Sequence, residues 1–374
     1  ISASSKRMIT GNKPILIFPA GMPRALEFLQ KALCDGQQII GASSLSFDPV
    51  RERYPAWISL PYITDPAFDK ALKSAIVTFN VGGVYTPHLV VWNYLNRALK
   101  NIAPGVSLIN PSPANAEMQG YRIAMDHAHA LREHPFRLAS VSPVRPQASE
   151  VEIAALFRHS ELIPGMCDHE KLRALCEVAR HAPAGDTVEI GSWWGKSAFI
   201  LAWLACCYRI GSLLCVDPWT AEDLVQGDEK GLVDEASGQL DPDEALKIFE
   251  INLLPYNSGH INYLRLPSVA GAQYYKENRT VATAAFGKTE YSGQIALLHI
   301  DGNHRYDAVK ADIDSWSTMI MKGGWLVLDD YRWPFGDGPK RAGDEFLMSN
   351  VEKVAVAFVM GGALFIQLAC SPSS

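Results

Sequence analysis

Residues 297–331 read LLHIDGNHRYDAVKADIDSWSTMIMKGGWLVLDDY. A short apolar run ends at Ile300. Tyr306, Val309, Ile313, Trp316 and Ile320 then recur at three- and four-residue steps, the period of a helix with one buried face. A Lys322-Gly-Gly turn follows, and then a second apolar run, 325–328. Strand, helix and strand in so short a span form a βαβ crossover, so the two strands are parallel. Both strands deliver acids at their C-terminal ends: Asp301, within Asp-Gly-Asn-His304, and the pair Asp329-Asp330. That edge of an open parallel sheet is where ligands bind. Three carboxylates and a histidine gathered there suit a hard metal ion with a general base beside it. Taken singly, Asp301 also suits a cap on the helix starting near Tyr306, and Asp329-Asp330 suit solvated loop acids. The coincidence of all four at strand ends favours a site.

The alternation extends along the chain. Helices near 150–158 and 168–181 precede strands expected at 187–190, 213–216, 261–266, 295–300 and 325–328. The chain finishes with 354–359 and 363–368, joined by Met360-Gly-Gly. So short a turn makes that last pair antiparallel. The first third also alternates, with strands at 14–19, 38–42, 57–62, 75–85 around Gly82-Gly83, and 106–110, and helices near 25–34, 66–74 and 89–99. A length of 374 residues suits two domains. The proline-bearing stretch 138–147 is the natural linker, giving domains 1–145 and 146–374. The fold class is α/β, each domain built on a mostly parallel doubly wound sheet.

The formal charge of −6 argues against a nucleic-acid partner. The longest apolar tract, 354–369, is broken by Gly361-Gly362 and reads as a hairpin, so no membrane partner is expected. Residues 1–14 lack the apolar core of a signal peptide. The seven cysteines show no CxxC spacing and read as reduced, mostly buried thiols of a cytoplasmic protein.

Residues 187–197 read TVEIGSWWGKS and lead into AFILAWLACCY, apolar nearly all round and therefore buried. Gly191 and Gly195 would let backbone approach a ligand, or serve turn geometry alone. Asp217, in LLCVDPW, ends the next strand and suits a ribose diol or a turn cap. Together the two motifs imply an adenosine-type cofactor. The turn lacks GxGxxG, Glu189 sits inside the first strand, and the sheet closes with a hairpin. These features favour S-adenosylmethionine over NAD.

The strings VEIGSWWGKS, VDPW, LLHIDGNHRYDAVKADI and KGGWLVLDDY resemble the metal-dependent sugar and natural-product O-methyltransferases, a branch of class I methyltransferases. The resemblance implies a Rossmann-like second domain ending in an antiparallel hairpin. It implies S-adenosylmethionine over the glycine turn, with Glu189, Gly191, Ser192, Gly195, Ser197 and Asp217 around it, Ser268 on the adenine side, and Asp301 at its reactive end. It further implies Mg2+ held by Asp301, Asp329 and Asp330, His304 as the base, and a small-molecule hydroxyl acceptor. The chemistry is coherent, since a metal ion lowers a hydroxyl's pKa and histidine accepts a proton near pH 7. Trp193 and Trp194 either cover the cofactor or pack. Tyr331, Arg332 and Trp333 are candidates to face the acceptor. Residues 221–244 form a lid or a surface insertion.

In the N-terminal domain, ILIFPAG, IIGASSLSFDP and WISLPYITDPAFDKAL resemble the small α/β domain preceding the ATP-grasp fold. Asp48, Arg51 and Arg53 are its candidate polar contacts, or a solvated loop. A homo-oligomer is expected. The alternatives are an NAD-dependent oxidoreductase and a non-catalytic scaffold built on a degenerate methyltransferase domain.

Overall fold

A computed structural model describes residues 13–135 and 138–369. The terminal stretch read as lacking a signal peptide lies almost entirely outside them. The chain divides into two compact units, Ile1–Arg122 and Ile123–Ser374.

The first unit holds β1 (Ile15–Ile17), α1 (Pro23–Cys34), β2 (Ile39–Ser43), β3 (Ala56–Ser59), α2 (Phe68–Thr78), β4 (Gly83–Tyr85), α3 (Leu89–Ile102) and β5 (Ser107–Leu108). All five strands are parallel, in the order β3-β2-β1-β4-β5. Successive strand residues point to opposite faces. Leu16, Ile40 and Val84 pack with Phe68, Leu72 and Leu95 on one side, and Ile15, Ile17 and Ile39 pack with Ala25 and Leu29 on the other. Asp48 is buried and accepts from the Val50 amide, while Arg51 and Arg53 are exposed.

The helix α4 (Pro113–Glu133) runs across the division. The second unit continues with α5 (Glu150–Ser160), α6 (His169–His181), β6 (Asp186–Ile190), α7 (Lys196–Cys207), β7 (Leu213–Val216), α8 (Leu232–Ser237), α9 (Pro242–Leu253), β8 (Ile261–Leu264), α10 (Ser268–Glu277), β9 (Thr280–Thr283), β10 (Gly287–Glu290), β11 (Ile295–Ile300), α11 (Tyr306–Trp316), β12 (Ile320–Leu328), α12 (Gly338–Ser349), β13 (Val354–Met360) and β14 (Ala363–Leu368). Its main sheet runs β13-β14-β12-β11-β6-β7-β8, with β14 antiparallel to both of its neighbours. The terminal hairpin and the parallel block are therefore as the sequence implies.

Both faces of this sheet are covered. Leu213, Cys215, Trp325 and Phe365 pack under α5, α6, α7 and α9, whereas Val188, Leu214, Leu298 and Leu326 pack under α10 and α11. Trp316 and Trp325 are fully buried, each worth roughly 2–3 kcal/mol in area removed from water. Helix α7 is buried along most of its length, as its apolar sequence demands.

Three expectations are corrected. The Lys322-Gly-Gly segment is not a turn before the strand. It lies inside β12, where the register against β11 jumps from Ile295↔Ile320 to Leu297↔Trp325. Residues 280–290 form the small antiparallel pair β9–β10, which the alternation left out. Among the described cysteines, Cys167, Cys176 and Cys215 are buried but Cys34 and Cys206 face solvent, because each ends or nearly ends its helix.

Candidate functional site

Strands β6 and β11 are neighbours, yet the chain leaves β6 for α7 on one face and leaves β11 for α11 on the other. Such a divergence opens a crevice at the C-terminal edge. The loops that line it are anchored by one further ladder bond each. The Asp301 amide donates to Ile190, the Asp329 amide to Ile300, and the Asp217 amide to Leu264. Gly191 has φ +79°, and a β-carbon there would lie 2.1 Å from the Asp301 carbonyl oxygen. Glycine is therefore required where the β6 and β11 loops meet. Trp193, Trp219 and Asp330 have positive φ in three of these loops. Non-glycine residues are held this way only where their surroundings over-determine them, which is common at functional sites.

On the β6–β7 side, Asp217 faces the glycine turn. One carboxylate oxygen accepts from the amides of Ser192 and Trp193 at 2.9 and 3.0 Å, and the other from Trp219 at 2.7 Å. Burial raises its pKa while these amides pull it back. A carboxylate offers about four acceptor positions, so Asp217 keeps capacity for a ribose hydroxyl. Ser192 donates its hydroxyl to Glu189 at 2.6 Å. Glu189, Gly191, Ser192 and Asp217 are thus one cluster. Gly195 caps α7 and instead abuts Leu253 and Phe249. Ser197 is buried in α7. Ser268 accepts from the Trp316 indole at 3.0 Å and bonds to buried Asp312. The Trp219 indole donates to the Trp193 carbonyl at 3.0 Å.

On the β11–β12 side the arrangement differs. The side chain of Lys171, from the first turn of α6, is 1% exposed; its ammonium contacts Asp329 Oδ2 and lies 3.8 Å from Asp301 Oδ2. Burial opposes the ammonium's charge, but Asp329 above all, with Asp301, outweighs it and holds its pKa well above the ordinary value. Burial likewise opposes ionisation of Asp329, yet Lys171 and His299 keep its carboxyl below the usual range. Asp301 is raised, by burial and by the Asp329 charge beside it. Behind them, His299 on β11 is the register partner of Glu189 on β6. Its Nδ1 lies 3.3 Å from Glu189, and its Nε2 lies 3.9 Å from Asp329. Glu189, His299, Asp329 and Lys171 form a buried polar line beneath the crevice.

The outer side is more open. His304 Nε2 is 3.1 Å from Asp330 Oδ2, and the Trp333 ring packs against the imidazole. The His304 amide donates to the Gln226 side chain, and Asn303 donates to the carbonyls of Asp223 and Val225. The segment 221–244 therefore touches the DGNH loop. Tyr331 donates to Asp344 at 2.6 Å, and Arg332 is exposed.

A cavity of about 330 Å³ opens onto Lys171, Asp329 and Asp330 and is walled by Met166, Cys167 and Gly361. Burial pushes the Cys167 thiol up to about 12, so it is not a thiolate at neutral pH. A divalent ion favours oxygen donors. Among the described residues, two sets bring one donor atom per residue within 4.8 Å of one another: His299, Asp301 and Asp329, where the Lys171 ammonium already stands, and Asp301, His304 and Asp330, whose two carboxylates fit. Asp301, Asp329 and Asp330 as a joint set fit poorly, because the Lys171 ammonium already contacts Asp329. Lys171 and His299 were not among the sequence candidates. The signal for Lys171 was its place on the apolar stripe with Ala174, Leu175 and Val178, the buried face of α6.

Residues 188–331 match the family model described as a methyltransferase domain. No curated protein matches the sequence. Among solved structures, the chain is similar to the O-methyltransferase NovP (15% identity over 67% of this chain and 98% of that one, TM-score 0.37). It is also similar to CalS11, a TDP-rhamnose 3'-O-methyltransferase of calicheamicin biosynthesis (16%, 69% and 96%, TM-score 0.37). A third is the MycE methyltransferase in complex with Mg, SAH and mycinamycin VI (14%, 51% and 46%, TM-score 0.31). The matched segment, running from β6 through the Asp329-Asp330 loop, is a methyltransferase domain. It lies wholly in the second unit, and nothing in it bears on the ATP-grasp-like reading of the first.

Proposed function

We propose that this methyltransferase domain is an S-adenosylmethionine-dependent O-methyltransferase whose acceptor is a hydroxyl of a sugar or another natural-product small molecule. The observation that carries the reading is the abutment at Gly191: the turn braced by Asp217 and the loop bearing Asp301 and His304 share one edge. When bound, S-adenosylmethionine supplies the methyl group, and a divalent ion would lower the pKa of the acceptor hydroxyl. Gly191, Ser192 and Asp217 would hold the cofactor, with Glu189 bracing Ser192 from beneath, Gly195 and Ser197 shaping the turn from below and Ser268 on its far side. Asp301 and Asp330 would hold Mg2+. His304 would take the hydroxyl proton, and Asp330, 3.1 Å from its Nε2, would stabilise the imidazolium that forms. The cavity above Asp329 and Asp330 suits an acceptor of modest size. Its polar floor suits a polyhydroxylated one.

The test is calorimetric titration with S-adenosylmethionine and with NAD, followed by methyl-transfer assays on glycosylated acceptors. Micromolar binding of S-adenosylmethionine and a methyl ether product are expected. Binding of NAD alone would replace this reading with an oxidoreductase.

A further inference from the structure

The three strand-end acids differ in what surrounds them. Asp330 is a third exposed and faces His304. Asp329 is 9% exposed and in contact with an ammonium. Asp301 lies between, one oxygen 3.8 Å from that ammonium. Lys171 is not placed there by chance. Asp168 caps α6 by accepting from the Lys171 amide at 2.8 Å. Gly361, in the β13–β14 turn, packs so closely that a β-carbon would lie 2.3 Å from the same amide nitrogen. The backbone of Lys171 is thus clamped, and its stem runs along the buried face of α6 to the acids. Beyond them His299 is fully buried, with both ring nitrogens lacking a hydrogen bond and directed at Glu189 and Asp329.

We propose that Lys171 is a built-in cation for the inner acids Asp301 and Asp329, a positioning residue that confines any divalent ion to the outer acids Asp301 and Asp330. The resemblance assigns all three acids to one ion. In this chain an ammonium already stands on Asp329, and a second cation on the same oxygen would meet its charge at contact distance. Lys171 also attracts Asp301, whose Oδ2 lies 3.8 Å from the ammonium. The proposal deepens the methyl-transfer reading and rests on it for the site's purpose. Its test is a binding measurement that needs no turnover.

The experiment titrates the full chain with Mn2+, following free ion by electron paramagnetic resonance, with thermal unfolding run on each variant. The charge-matched double variant Lys171→Met/Asp329→Asn should keep the wild-type ion affinity within about threefold, while Asp330→Asn should lose about tenfold or more. Lys171→Met alone, which frees Asp329, should gain about tenfold. A double variant that remains folded but loses ion affinity about tenfold would overturn the proposal, because Asp329 would then be a ligand. So would a folded Lys171→Met with no gain. If Lys171→Met fails to fold, the double variant, which removes the charge of buried Asp329 together with its cation, still decides. Calorimetry with S-adenosylmethionine runs in parallel. Its failure would sink the methyltransferase reading and leave the ion result standing.

Discussion

Asp217 and Asp329 are both strand-end acids, both buried, and they are held in different ways. Asp217 sits among three neutral amides, which orient it without cancelling its charge. Asp329 sits on an ammonium. Amide donors leave a carboxylate able to bind a polar ligand, and they pin the loop that supplies them. An ammonium neutralises the acid and couples it to a helix more than a hundred residues upstream. The β6–β7 edge is therefore built to shape a turn, and the inner part of the β11–β12 edge to balance charge. Deleting a partner on the two sides should fail differently.

The largest effect is expected at Lys171. Lys171→Ala leaves buried Asp329 and partly buried Asp301 without their cation and should cost about 3–5 kcal/mol of stability. Urea unfolding checks this. The double variant Lys171→Met/Asp329→Asn should recover most of the loss, and a loss equal to the single variant's would mean that packing, not charge, holds α6 against the sheet.

His304 tests the exposed side of the same edge. His304→Ala should lower turnover by about a hundredfold, or ~2.7 kcal/mol. Stability and S-adenosylmethionine affinity should hardly change, since the ring is not part of the buried line. Unchanged turnover in steady-state assays would remove His304 from the proton transfer.

Asp312 adds a third way of burying an acid. It is 6% exposed, and burial raises its pKa to about 6 against the opposing pull of Ser268. Its folded pKa lies above the unfolded value of about 4, so the native state binds more protons between the two. Stability from this group is present below pH 4 and falls as pH rises through 6. Asp312→Asn should therefore stabilise at pH 8 by roughly 2.7 kcal/mol and by almost nothing at pH 4. A pH-independent change in Tm would show that the shape of the side chain matters more than its charge.

How much of this was legible follows from where each residue stands in the chain. Strands β7, β11 and β14 were readable because each is a mostly apolar run with a clear stop, interrupted only by His299 in β11 and Gln367 in β14, and Asp301, Asp329 and Asp330 directly follow such runs. β9 and β10 are polar and short, so no period marks them. Pro113–Glu133 lay outside the strand–helix alternation. The glycines at 323 and 324 read as a turn because a strand that bulges around glycine carries the same letters as one that stops. Lys171 was hidden for a different reason. A lysine in a helix normally signals solvent, and only its alignment with Ala174, Leu175 and Val178 contradicts that. Its partners lie in strands far along the chain, and that pairing exists only once the sheet is assembled.

The smallest effect is expected at Asp217, and it is the one that most sharpens the comparison. Asparagine there keeps one oxygen, enough for the Trp219 amide. Its amide group would face the Ser192 and Trp193 amides, donor against donor. The turn must shift or the side chain must rotate, and either change moves Gly191 relative to Asp301, where no slack exists. The loss should appear chiefly in cofactor binding, at about tenfold or ~1.4 kcal/mol, with Mn2+ affinity changing less than about threefold because the Asp301 loop is also held by its own ladder bond to Ile190 and Asp330 stands on another loop. Calorimetry on Asp217→Asn separates the two. If ion and cofactor affinity fell together, the two sides of the crevice would be one mechanical unit coupled through the Gly191–Asp301 contact, and the contrast between an amide-held and a cation-held carboxylate would be one of chemistry alone.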